Sequence, residues 1–343
     1  MKTPFMAIPG QQILDGVTHD ADSPASQIVK PLIPKDAFER IERAVKQANA
    51  SLREQIRSET GLRLSDGSER FNIPVRVCEG FTGPFGDIIM RYPDPQLWWL
   101  ICGLRQLGEI VEGTGWLLEH WPDLESWQHL PAMARRAGDA IQRTRDVAAE
   151  LQKLVANPPI IEEIKKVKAD YLGCYFYPPG KAPWIEIYWM PIALIAAMID
   201  VRMEDLAVVT LAHELGHGYT HLGRDIDGAS WDTAGFSKSD AEVKEGLAQF
   251  YTEVVTQKVA SRQPGAHEAY QKFLALQSGP YLAHQEWLKD QPHQRSESVR
   301  FALLASRTKG VVKQAEWLAS LSDTNQKLRK PASPDAQTGL FNP

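Results

Sequence analysis

The chain has 343 residues, 43% hydrophobic and 24% charged, which excludes a wholly disordered chain, a collagen-like repeat and a disulfide scaffold. A formal charge of −5 excludes the basic excess expected of a general binder of nucleic acid or anionic membrane. Cys78, Cys102 and Cys174 lie far apart with no CxxC pair, which points to a reducing compartment and away from a cysteine metal cluster.

Residues 1–34 are rich in Pro, Gly, Asp and Ser and read as an extended arm, without the apolar run of a targeting segment. A helical N-terminal region is expected over 35–157. Phe38, Ile41, Ala44, Val45, Ala48 and Leu52 recur at three and four, which predicts an amphipathic helix from Asp36 to about Thr60. Phe71 to Val77 alternates weakly, as a strand would. Pro95 suits a helix first turn and opens a segment through Trp98, Ile101, Leu104, Leu107 and Val111. Further helices are expected over Leu130–Val155 and from about Ile160.

The texture then changes. Tyr171–Tyr177 and Trp184–Trp189 are aromatic and β-branched, separated by Pro178, Pro179, Gly180 and Pro183, and read as two strands around a turn. In the second, Ile185, Ile187 and Trp189 share one face, and Trp184, Glu186 and Tyr188 the other. The most apolar run, Met190–Ile199, is too short to span a bilayer, so a soluble, cytoplasmic protein is expected. A long helix follows from about Met203 to Leu222, then a loop over 223–237. Ser239 or Asp240 can cap the next helix, and two more are expected over 266–290 and 295–321. The tail, 322–343, has few apolar residues and reads as disordered.

The string Ala212-His213-Glu214-Leu215-Gly216-His217 carries the chemistry. On a helix His213 and His217 stand one turn apart on one face, about 6 Å along the axis, so both imidazoles can reach one ion. Zn²⁺ accepts neutral histidine nitrogen, and a catalytic site keeps a position open for water. Glu214 stands beside the first histidine, where it can take a proton from that water. This is the HExxH arrangement of zinc peptidases.

A third protein ligand is needed. Glu245 is the best candidate, in Lys244-Glu245-Gly246-Leu247-Ala248-Gln249-Phe250-Tyr251, where small neighbours let a second helix approach the first. Glu242 lies one turn earlier on nearly the same face, and spacing alone does not exclude it. Near the helix N-terminus, however, an acid is explained by the helix dipole. His221 shares the histidine face but lies about 12 Å of axial rise from His213, which suits a wall rather than a ligand. Asp225, Asp227 and Asp232 would ligate only if their loop folded back.

Thr210-Leu-Ala-His-Glu-Leu-Gly-His217, followed by Glu245-Gly-Leu-Ala-Gln-Phe-Tyr251, resembles a zincin of the gluzincin type. The strand ahead of the motif helix and the Glu-x-x-Ala pattern are also similar to the ImmA/IrrE-like peptidases. The resemblance covers about 170–262, and the 27 residues between His217 and Glu245 make a longer gap than in the best-known gluzincins. It implies His213, His217 and Glu245 as zinc ligands and Glu214 as general base. It also implies a substrate peptide lying antiparallel against Trp184–Trp189 at the sheet edge. The metzincin pattern does not fit, because Thr220 and Gly223 stand where its glycine and third histidine belong.

Weaker features have plainer readings beside their functional ones. Tyr188, Tyr219 and Tyr251 are candidate oxyanion donors, though packing accounts for each. Asp232 and Asp240 could orient a ligand histidine, though solvated acids are the ordinary case. His284, His293, Arg295 and Arg300 could face substrate, or simply solvent. Trp98, Trp99, Trp116, Trp121 and Trp127 could line a groove, but aromatic core explains them. The expected fold is α+β and mostly helical, with a zincin-like catalytic domain over 158–321. The expected activity is zinc-dependent hydrolysis of a peptide or protein substrate, with no nucleic-acid or membrane partner. The rival readings are a regulatory or binding module on the same scaffold and a metal-dependent amidase for a non-peptide substrate.

Overall fold

The computed structural model describes residues 22–64, 73–81, 83–103, 159–166, 171–178, 180–287 and 295–329, with scattered helical positions between 136 and 149. It is mostly helical with a small three-stranded sheet, an α+β arrangement. Among the described residues no helix is long and apolar enough to cross a membrane.

At the centre is α6, Met203–Leu222, which carries the HExxH string. Glu204 and Asp205 in its first turn suit the positive end of the helix dipole. Most of its residues are buried, so no polar stripe remains, and burial rather than amphipathic period holds it. Four described helices pack on it: α2 (Ala37–Thr60), α5 (Trp189–Met198), α8 (Ala241–Lys258) and α9 (Ala266–Leu274). Helix α2 buries Ile41, Ala44, Val45, Ala48, Leu52 and Ile56, close to the face its sequence period announces, and ends on Gly61 in the left-handed conformation (φ 68°).

The sheet lies against one side of α6. β1 (Val75–Cys78) pairs in parallel with β3 (Trp184–Tyr188), and β2 (Gly173–Phe176) pairs antiparallel with the other side of β3. Trp184–Tyr188 is therefore the central strand, and the expectation that it forms the sheet edge beside the histidines is wrong. Its alternation gave the faces, with Ile185 and Ile187 fully buried, but faces do not reveal neighbours. The inserted neighbour is β1, which comes from far upstream, and described residues between Ala37 and Ile101 belong to the same core. On the motif side the edge is β2. The Tyr188 amide donates to the Leu172 carbonyl at 2.8 Å, so the alternation of an antiparallel ladder turns the backbone groups of Gly173 and Tyr175 away from β3.

Elsewhere the chain is more broken than its periodicity suggests. Pro24–Val29 is a helix, α1, capped by the Ser23 hydroxyl and buried at Ala25 and Val29, so the reading of 1–34 as an extended arm fails there. Gly83–Arg91 (α3) and Trp189–Met198 (α5) are helices that the sequence did not announce. Residues 95–103 are helical as expected, Pro159–Lys166 forms α4, and a short helix α7, Thr233–Lys238, sits inside the expected 223–237 loop. The expected helix over 266–290 divides into α9 and a 3-10 segment, Gly279–Glu286. The one expected over 295–321 divides into α10, Arg295–Arg307, and α11, Gln314–Arg329, with Gly310 in a left-handed conformation (φ 84°) between them. Helix α11 carries buried Asn325, which corrects the disordered tail for 322–329. Residues 1–21, 104–111 and 330–343, and the expected strand start at 71–72, lie outside the described residues.

Candidate metal centre

Two neighbouring turns of α6 present His213 and His217 on one face, with their rings 4.7 Å apart and nearly perpendicular. Helix α8 brings Glu245 to the same point. The Nε2 atoms of His213 and His217 are 3.2 Å apart, and Glu245 Oε2 lies 3.3 Å from the first and 3.1 Å from the second. Among the described residues this is the group that could hold a metal ion. Donors bonded at about 2.0–2.1 Å to a tetrahedral ion stand about 3.3–3.4 Å apart, so the observed triangle has the size such an ion requires. A cation at the centre of the triangle would meet all three donor atoms at once. Burial opposes the ionised form of Glu245, but the charges and hydrogen bonds of His217 and His213 outweigh it and hold the carboxyl below the usual range.

The two helices can approach because small residues meet where they cross. A Cβ on Gly216, inside the HExxH string, would sit 3.1 Å from Ala248 Cα. The expected Gly246 is not at this crossing, since a Cβ there would lie 2.5 Å from the Trp287 ring on the far side of α8. The start of α8 is pinned by Lys244, buried at 3% exposure, whose ammonium donates to the Ser237 carbonyl at 3.1 Å. Asp240 is the N-cap residue by position, but its carboxylate accepts from the Gln314 amide and pairs with Lys313, tying α8 to α11. Glu242 stands in the first turn and is not part of the metal-binding group.

Glu214 is 1% exposed and lines a cleft together with His213. A Cβ on Gly173 of the edge strand would lie 3.2 Å from Glu214 Cγ and 2.7 Å from Thr210 Cγ2. Only a glycine lets the sheet edge come this close to the histidine-bearing helix. The Glu214 side chain therefore lies against the edge strand and in a cleft that His213 also lines.

His221 is not in the group of three. Its Nδ1 lies 3.1 Å from the Tyr175 hydroxyl and its Nε2 3.1 Å from the Thr233 hydroxyl, and its ring stacks on Phe236 at 4.4 Å. Burial pushes its pKa down to about 3, so it is a neutral wall of the core. Asp232 caps α7 through the Gly235 amide, and Asp225 and Asp227 serve their own turn. None of the tyrosines singled out in the sequence lines the cleft. Tyr188 donates to Glu186 on the opposite sheet face, and Tyr219 and Tyr251 are buried elsewhere in the core. The tyrosines that do line it, Tyr171 and Tyr281, were missed. Tyr281 lies with its ring 6.1 Å from that of His213, on the 3-10 segment whose Ser278-Gly279-Pro280 opening was the available signal of a break.

His284 is buried, with its Nε2 2.8 Å from the Tyr270 hydroxyl, and burial lowers its pKa to about 4. Arg295 donates to the His284 carbonyl and to Glu253, and the Arg300 guanidinium lies against Gly61. Trp98 is core and Trp99 is exposed, while His293, Trp116, Trp121 and Trp127 lie outside the described residues. Compared with family models, curated proteins and solved structures, the chain has no match.

Proposed function

We propose that this chain is a zinc-dependent peptidase. The observation that carries the reading is the His213–His217–Glu245 triangle of tetrahedral-ion size, with Glu214 lining a cleft that His213 also lines. The donor set of two imidazoles and one carboxylate is that of catalytic zinc sites of the gluzincin type, which the sequence resembles. A bound zinc ion would supply Lewis acidity toward a carbonyl oxygen and toward water. Glu214 takes the proton of the attacking water and returns it to the departing amine, so one carboxylate serves as base and then acid. The edge of β2 holds the substrate. Gly173 and Tyr175 offer outward N–H and C=O groups, with which an extended peptide can pair as an added strand. That edge favours a peptide over a small non-peptide amide. The three free thiols suit a reducing compartment such as the cytoplasm.

The test is a digest of a peptide library with the zinc-loaded protein, its chelated form and Glu214→Gln. Cleavage by the loaded protein alone is expected. A zinc-loaded protein that cleaves no peptide, or a Glu214→Gln variant that cleaves as well as the parent, overturns the reading.

A further inference from the structure

Helix α8 brings a second polar side chain to α6, one turn after Glu245. Gln249 is 4% exposed and lines the cleft together with His213 and Glu214. Among the described residues nothing hydrogen-bonds its carboxamide, and the Tyr270 hydroxyl reaches only its main-chain carbonyl, at 3.5 Å. From this we infer that Gln249 holds substrate, its carboxamide pairing with a main-chain peptide unit next to the bond that is cut. The inference rests on the peptidase reading and adds the group that grips the peptide from the helix side.

The burial of Gln249 follows from the metal centre. Residues four apart on a helix share a face, so the crossing that delivers Glu245 also carries Gln249 against α6. Ala248, packed on Gly216, sets how near that face comes. A buried carboxamide left unpaired costs about as much as its lost hydrogen bonds, and folded chains seldom keep one. Its partner therefore comes from what enters the cleft. The neighbouring polar groups are already committed or face solvent. The Thr210 hydroxyl donates to the Leu206 carbonyl at 2.9 Å, within α6. Gln277 is half-buried and can meet water.

The chemistry of the group selects its partner. A carboxamide offers two N–H donors and a carbonyl acceptor side by side. That set complements a peptide unit, which offers one carbonyl and one N–H, and it carries no charge to attract a carboxylate or an ammonium. The enclosed part of the cleft is small, which suits main chain rather than a large side chain.

Position points the same way. The cleft is walled by Gly173 of β2 and by Gln249 of α8, with Val209, Thr210, His213 and Glu214 of α6 between them. A peptide added at the β2 edge pairs with Gly173 and Tyr175 through one row of its main-chain groups. Its other row faces away from β2, where the sheet has no further strand among the described residues. Gln249 supplies hydrogen bonds to one unit of that row. The peptide is then held on both sides, with Glu214 facing it from α6.

Two measurements test this. The first uses a peptide that the zinc-loaded parent cleaves. Gln249→Met keeps the length of the side chain and removes its polar atoms. It should raise KM about tenfold, roughly the worth of one or two neutral hydrogen bonds, with zinc affinity unchanged. The contact is made before and during reaction alike, so kcat should change far less than KM. Gln249→Glu keeps the shape but loses the donors, and it should raise KM as well. The second measurement needs no catalysis. Zinc-loaded Glu214→Gln, labelled with ¹⁵N-glutamine, is titrated with the N-methylamide of acetyl-tetra-alanine. The side-chain amide signal that Gln249→Met deletes should move as the peptide is added, and the same substitution should weaken peptide binding about tenfold. A stationary Gln249 signal, or equal peptide binding with and without the carboxamide, overturns the inference. So does a Gln249→Met variant whose activity falls only as far as its zinc affinity, because the residue then serves the metal centre. A loss confined to peptides with Asn or Gln beside the cut means that the carboxamide reads a side chain, which overturns the main-chain pairing. If the signal moves and binding weakens while no peptide is cut, the role of Gln249 stands and the peptidase reading falls.

Discussion

The metal centre makes a quantitative claim about Glu245, because stability and metal occupancy are linked. An ion that binds the folded chain alone stabilises it by RT ln(1 + [L]/Kd), about 4 kcal/mol when free zinc is a thousandfold above Kd. With an unfolding entropy of about 2.1 cal/mol/K per residue, that is a rise in melting temperature of about 6 °C for a chain of this length. Glu245→Ala removes one corner of a triangle whose sides are 3.1 to 3.3 Å. Shared among the ligands of a zinc site, a binding energy of about 10–16 kcal/mol gives each roughly 3 kcal/mol, or about a hundredfold in affinity. At the same zinc concentration the variant should therefore gain only about 1.4 kcal/mol, or about 2 °C.

The assay is thermal melting of parent, Glu245→Ala, Glu242→Ala and His221→Ala, each with chelator and with buffered zinc. The readout is the zinc-induced shift within each variant. His221→Ala opens a hole beside Phe236 and should melt earlier in both conditions, yet its shift should match that of the parent. Glu242→Ala should also match. A parent that shows no zinc-dependent shift refutes the centre. A shift lost in Glu242→Ala but kept in Glu245→Ala refutes the register of α8 on α6, and one lost only in His221→Ala refutes the choice of ligands.

Other consequences can be checked directly. Glu214→Gln should bind zinc as the parent does and lose roughly 10²–10⁴ in hydrolysis rate, the worth of a positioned base, measured by zinc titration beside a peptide assay. Gly216→Ala adds a Cβ 3.1 Å from Ala248 Cα and should prise α6 from α8 by a few tenths of an ångström, weakening zinc binding while the fold persists. A variant that binds zinc undiminished would show that the crossing has slack. His221 and His284 have folded pKa values of about 3 and about 4, below the unfolded value of about 6.5, so the unfolded chain binds protons first as pH falls. Their contribution is complete above about pH 6.5 and is lost as pH drops from there toward 4, about 2 kcal/mol each at pH 5. Denaturant melts of the chelated protein should show a shallower pH slope for His221→Gln, and an unchanged slope would mean that the ring is protonated in the fold.

The parts of this site legible in the sequence are those set by local geometry. Four-residue spacing on a helix places His213 and His217 together whatever surrounds them, and Ile185 and Ile187 alternate inward because a strand must. What could not be read depends on contacts from distant sequence. The parallel pairing of Val75–Cys78 with Trp184–Tyr188 converts an apparent edge strand into a central one, and nothing local in either strand encodes that. Trp189–Met198 hid for a different reason. It is buried all round, so it has no polar stripe to mark a helical period, and its run of apolar residues is compatible with either element. The split of 266–290 and 295–321 was signalled by Ser278-Gly279-Pro280 and by Gly310, but apolar spacing masked both breaks.

The choice of Glu245 shows how far a sound sequence argument can rest on the wrong atoms. Small residues were expected to let the second helix approach, and they do. Yet the pair in contact is Gly216 with Ala248, whereas Gly246 makes room for Trp287 behind. A helix that must deliver a carboxylate inward while packing on both sides needs small residues on two faces, and Gly-Leu-Ala supplies one to each. Leu247 between them is fully buried. The same economy appears inside HExxH, where Leu215 is fully buried in the core and Gly216 forms the crossing. The two positions of the motif that carry no chemistry thus set the distance at which the third corner, Glu245, arrives. Metal affinity should accordingly respond to Gly216 and Ala248 as well as to the three side chains at the corners, because a shift of a few tenths of an ångström at the crossing is a large fraction of the tolerance of a metal–ligand bond.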